Sequence, residues 1–178
     1  SPEHVVVTRQ GEVLLSGFGL DTLARSAGDD AAKPDPAFSY LAPEQCGGAP
    51  AQPASDIFAV GSILAELLVG EPVFLRPTLA GTREAVANHL PDAFRSKRAE
   101  IPKALDEAIL FALEKAVDRR ARAAELAKKL GAFMGMLEVA DRIKPDQHPA
   151  RLADFIRIRM PDLVDPLDPS SGPARAVA

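Results

Sequence analysis

The run that narrows the fold most is Asp56 to Val69, "DIFAVGSILAELLV". Its apolar residues fall on nearly every face of a helix, the pattern of a helix buried all round rather than one lying on a surface. Ser55 in front reads as the N-cap with Asp56 in the first turn, and Gly70 followed by Pro72 reads as the stop. Glu66 interrupts the run, which is too short to cross a bilayer. A chain of 178 residues is long enough to build one core around such a helix.

The rest of the chain supplies one hairpin and then helices only. Val5-Val6-Val7-Thr8 and Val13-Leu14-Leu15 flank a turn carrying Gly11 and Glu12, the signature of a β-hairpin. Leu20 to Phe38 holds Gly28, Asp29, Asp30, Pro34 and Pro36 without a sustained period and reads as a loop. Helices are predicted over Gly81–Leu90, Lys103–Ala116 and Arg122–Leu137; in the second of these Leu105, Ile109, Ala112 and Leu113 share a face. After the break "KPDQHP" a short amphipathic helix is predicted over Ala150–Met160, and the Pro- and Ser-rich stretch 161–178 reads as a disordered tail. The fold class expected is mainly α with a short β-hairpin.

Composition excludes several functions. A net charge of −4 and a pI near 5.4, without a basic stripe, argue against nucleic-acid or anionic-membrane binding. One cysteine, Cys46, cannot form an internal disulfide, which suits a reducing, cytoplasmic setting. Cys46 itself reads as a small buried hydrophobe rather than a nucleophile. His4, His89 and His148 lack metal-ligand spacing, and Ser16 and Ser39 have no nearby histidine for a hydrolase triad. The basic run "DRRARAAELAKK" reads as a solvated helix face plus a structural arginine, and Thr22, Ser26 and Ser39 could accept phosphate in the loop, although exposed hydroxyls are common and signal little. The chain starts almost at once in a β-rich segment, without Met, and reads as a fragment.

Five stretches in order carry a resemblance: "SPEHVVVT", "LLSGFGL", "YLAPEQ", "SDIFAVGSILAELLVGEPVF" and "FALEKAVDRRARAAEL". Together they resemble the C-terminal lobe of the protein-kinase fold, in the flavour of the bacterial Ser/Thr kinases. The first resembles the end of the catalytic loop, and "GFG" (Gly17, Phe18, Gly19) sits at the DFG position. "APE" is the family's element after the activation loop, and the long apolar run is its central helix. "RLADFIRIRMP" resembles a C-terminal extension seen in some members. The resemblance covers residues 1–160.

The resemblance implies that Glu44 pairs with an arginine of the closing segment. Arg120 fits without a gap, and Arg119 stays open. It also implies that Asp56 accepts backbone N–H bonds from the catalytic loop; the plainer reading is a first-turn carboxylate favoured by the helix dipole. Kinase chemistry rests on metal-held phosphates and an oriented hydroxyl nucleophile. In the family the DFG aspartate and a catalytic-loop asparagine hold Mg²⁺. Here Gly17 stands at the first position and His4 at the second, and imidazole suits this hard, oxygen-seeking ion poorly. The catalytic aspartate and the small N-terminal lobe are expected upstream of Ser1. Asp21, in the loop, is the one candidate for a relocated metal ligand.

The expected function is therefore a catalytically inactive kinase-like signalling module, a pseudokinase, acting as a protein-interaction scaffold or allosteric regulator. Mg-ATP binding is expected to be weak or absent, with no cofactor. Expected partners are a protein (an active kinase, its substrate, or the chain's own N-lobe) and a second copy, because a lone C-lobe would expose apolar surface. Two alternatives remain: a divergent active Ser/Thr kinase with displaced ligands, and an autonomous helical adaptor.

Overall fold

The computed structural model describes residues 1–17, 34–96, 98–141 and 144–159. The chain is mostly helical with one two-stranded antiparallel sheet. It forms two compact units, one of Ser1–Pro2 with Gly17–Leu137 and one of Glu3–Ser16 with the chain from Glu138 onward. The elements are β1 (Val5–Val7), β2 (Val13–Leu15), α1 (Pro43–Cys46), α2 (Pro53–Val69), α3 (Leu79–Asn88), α4 (Lys103–Ala112), α5 (Ala123–Asp141) and α6 (His148–Arg159).

The first unit is built on α2. The helix starts two residues before Ser55, with Pro53 in its first turn and Gln52 as N-cap, so Ser55 is not the cap. Ser55 sits inside the first turn, where its Oγ accepts the Gln52 N–H at 3.2 Å. Proline suits this place because its missing N–H would have no helical partner anyway. At the other end Gly70 takes the left-handed conformation (φ +84) and returns its N–H to the Glu66 carbonyl. Phe58 and Ala65 are fully buried and cluster with Phe74, Val86, Phe94, Ile109 and Leu113. Gly61 lets α4 close in: a Cβ there would stand 2.9 Å from the Ala112 Cβ. Val60 and Leu67 are exposed, so among the described residues α2 is not buried on every face. The Ile57–Phe58–Gly61–Ser62–Ala65 side is buried, and Leu64, Leu68 and Val69 are partly buried against the same core.

The other helices keep their predicted identity and shift at their ends. α3 begins at Leu79 because the Thr78 Oγ1 caps it by accepting the Gly81 N–H at 3.1 Å. α4 stops at Ala112, short of the predicted Ala116. The Lys115 and Ala116 N–H groups go to Glu114 Oε1, at 2.9 and 3.3 Å, and the Phe111 carbonyl takes the Ala121 N–H instead of a further helical turn. Buried Asp106 on α4 is satisfied by the Phe94 N–H at 2.8 Å. Part of the predicted loop, Pro36–Tyr40, is a 3₁₀ turn capped by Asp35, whose Oδ1 accepts the Ala37 N–H.

In the second unit the hairpin pairs Val5 with Leu15, Val6 with Leu14 and Val7 with Val13. α6 begins at His148 rather than Ala150. Among the described residues no helix is long and apolar enough to cross a membrane. The stretch 161–178 lies outside the described residues.

Candidate functional site

Two places bear on function. The first is the node around Arg120. α1 carries Glu44 one residue after Pro43, and Arg120 lies in the turn between α4 and α5. Nη1 meets Glu44 Oε1 at 2.8 Å and Nη2 meets Oε2 at 2.9 Å, the parallel two-bond geometry that a planar guanidinium favours. The remaining donors go to backbone carbonyls: Nη1 to Ala54, Nη2 to Lys115 and Nε to Glu114. All five N–H groups are thereby used. The Arg120 side chain is 0% exposed and that of Glu44 is 11% exposed. Arg119, its neighbour, is exposed.

The Glu44 carboxylate also accepts the Ser55 hydroxyl at 2.7 Å. Burial pushes its pKa up, but hydrogen bonds from Arg120, its own N–H and Ser55, with the Arg120 charge, outweigh that and hold it below the usual range. Behind the pair, the Arg120 guanidinium lies 5.1 Å from the Phe58 ring centroid. Lys115 Nζ sits 4.2 Å from the Phe74 ring and 4.9 Å from Phe58, and donates to the Val86 carbonyl at 2.7 Å. Burial first, then the Arg120 charge, push Lys115 down to about 8, although Cys46 and Glu114 pull the other way. Tyr40, buried in the "YLAPEQ" stretch, donates its hydroxyl to Glu66 Oε2 of α2. The segment from Tyr40 to Glu44 is thus tied to α2 at one end and to the α4–α5 turn at the other.

Sequence reasoning did not reach the Tyr40–Glu66 bond, the Ser55–Glu44 bond or the ring-stacked Lys115. The available signals were a single tyrosine and a carboxylate inside an apolar helix. Cys46 is half-buried and packs on the edge of the core. Asp56 is exposed in the first turn of α2.

The second place is the stretch that resembles the metal site. His4 ends a 3₁₀ turn and leads into β1, and its carbonyl accepts the Ser16 N–H at 2.9 Å. Gly17 follows with φ +72, a left-handed conformation that glycine adopts without a Cβ penalty. Phe18, Gly19 and Asp21 lie outside the described residues. Gly17 offers no side-chain ligand atom and His4 offers imidazole nitrogen, so the side chains at these two positions do not fit Mg²⁺. Among the described residues no group of three His, Cys, Asp or Glu could hold a metal ion.

Comparison with known proteins gives a consistent answer. Serine/threonine-protein kinase PknB of Mycolicibacterium smegmatis is 27% identical over 124 residues, 67% of this chain and 20% of its own length. A probable serine/threonine-protein kinase of Streptomyces coelicolor is 31% identical over 130 residues, 70% of this chain and 19% of its length. Serine/threonine-protein kinase pkn3 of Myxococcus xanthus is 30% identical over 173 residues, 90% of this chain and 30% of its length. The chain is a kinase-like C-lobe segment related to the bacterial Ser/Thr protein kinases. It spans under a third of the length of these relatives. No protein-family model matches it. The Arg120 node joins the "YLAPEQ" stretch to the turn between α4 and α5.

Proposed function

We propose that this C-lobe belongs to a catalytically inactive kinase-like signalling module that binds and positions another protein, an active kinase or its substrate. The observation that carries the reading is the contrast at Gly17. The position that needs a metal-holding carboxylate has no side chain, while the Glu44–Arg120 node that holds the lobe together is complete in every hydrogen bond. Phosphoryl transfer depends on charge neutralisation by the metal, whereas a scaffold needs only the fold. Protein-supplied Mg²⁺ contacts are lost at both positions, so Mg-ATP binds weakly or not at all, and the work of the module is done in the cytoplasm through its surface. The test is phosphorylation by the full-length polypeptide of itself and of a generic substrate. The expected rate equals that of a variant lacking the phosphate-binding lysine that the kinase resemblance places in the expected N-terminal lobe; a rate well above it sinks the proposal.

A second reading is favoured by the relatives themselves, which are named as kinases. In it the module is a divergent active Ser/Thr kinase whose metal ligand has moved to Asp21. Asp21→Asn would then abolish metal-dependent turnover, and an unchanged rate would dispose of the idea.

A further inference from the structure

A two-stranded hairpin on its own is marginal in water, and this one buries little of its strands. Val6, Val7, Val13, Leu14 and Leu15 are between 42% and 64% exposed. Its turn is different. Gly11 is buried with φ +80, and a Cβ built on it would lie 1.8 Å from the Pro149 carbonyl oxygen and 2.9 Å from the Pro149 Cα. The turn therefore lies with its bare backbone against the backbone of the first turn of α6, in a gap that admits no side chain.

Both partners in this contact are fixed locally. The hairpin turn is closed by the Gly11 N–H on the Thr8 carbonyl (2.9 Å), the Thr8 N–H on the Glu12 carbonyl (2.8 Å) and the Glu12 N–H on Thr8 Oγ1 (3.0 Å). The start of α6 is set by the Lys144 N–H on Gln147 Oε1 and by His148 Nε2 at 2.9 Å from Glu138 Oε1. Ala153, one helical turn beyond Pro149 and on the same face, is buried as well.

We infer that α6 is an intrachain strap: its docking on the Gly11 turn keeps the hairpin ordered and so sets where His4 is held. The hairpin lacks the buried strand face that would order it unaided, and the close backbone contact supplies what is missing. This control of the hairpin by the C-terminal helix stands whether or not the module transfers phosphate.

Amide hydrogen exchange on the whole chain tests it, comparing the native protein with Gly11→Ala, Ala153→Asp and Gly48→Ala. Gly48 is the matched control, since it also has a left-handed φ (+86) but nothing within 4 Å of a built Cβ. Gly11→Ala is expected to speed exchange of the β1–β2 ladder and of α6 together, by about tenfold or more, with α2 and α4 unchanged. Gly48→Ala should leave the hairpin and α6 at native rates. If Gly11→Ala does not fold, Ala153→Asp carries the test with the same expected result. Loss of α6 protection with an unchanged hairpin would overturn the inference. So would an unprotected hairpin in the native chain, or an equal loss in Gly48→Ala.

Discussion

The Arg120 node and the His4–Gly17 stretch show opposite treatment of polar groups. At the node a guanidinium with no exposed side chain satisfies all five donors, on one carboxylate and three carbonyls. In the His4–Gly17 stretch the strands stand exposed, and the proposed function puts Gly17 where a kinase carries its metal-holding carboxylate. A buried charge must keep its partners or the lobe is destabilised, whereas a metal ligand can be lost without cost to folding. The difference teaches that this sequence keeps what the fold requires; the proposed function adds that the chemistry-bearing positions have departed from the kinase pattern.

The largest effect should come from breaking the node. Arg120→Ala leaves Glu44 buried and uncompensated and should cost about 3–5 kcal/mol, read as a lower urea midpoint. Arg119→Ala, on the exposed neighbour, should stay within about 0.5 kcal/mol. Equal costs for the two would remove the distinction drawn here. Next, Gly61→Ala forces a methyl against Ala112 and should cost about 1–3 kcal/mol by overpacking. On the other side of the comparison, Leu15→Thr on the exposed strand should change global stability by no more than about 0.5 kcal/mol.

A further effect is a pH dependence. Lys115 has its folded pKa lowered to about 8 from 10.5, so between those values the unfolded chain binds a proton that the folded chain has released. Stability should therefore rise with pH through that window, and Lys115→Met should flatten the rise in urea midpoints. Glu44 acts at the acid end. Its folded pKa is lowered, so its contribution is present above the ordinary carboxylate pKa and lost as pH falls through the folded value. Glu44→Gln should blunt that acid limb.

Much of the scaffold was legible because it rests on local pattern. The apolar run Ile57–Val69, the Gly70 stop and the face shared by Ile109, Ala112 and Leu113 are periodicities that burial writes directly into sequence. The Glu44–Arg120 pairing could be anticipated through the kinase resemblance, since the two residues are 76 apart in the chain and no local pattern joins them. Element ends were less legible. α4 stops early because Glu114 takes the N–H groups of Lys115 and Ala116 and the Phe111 carbonyl takes that of Ala121, which periodicity does not show. Ser55 looked like a cap, yet the backbone already turns helical at Pro53. The Gly11–Pro149 approach was invisible in sequence, because a glycine in a turn looks the same whether solvent or another backbone lies beside it.

The central claim is that the lobe keeps its fold while its metal site is given up. It is tested most directly by titrating ATP calorimetrically into the full-length polypeptide, with and without Mg²⁺. The account predicts no difference between the two titrations, with weak binding or none in each. Binding that appears only when Mg²⁺ is present would contradict it, because some residue would then be holding the ion in place of the carboxylate that Gly17 lacks.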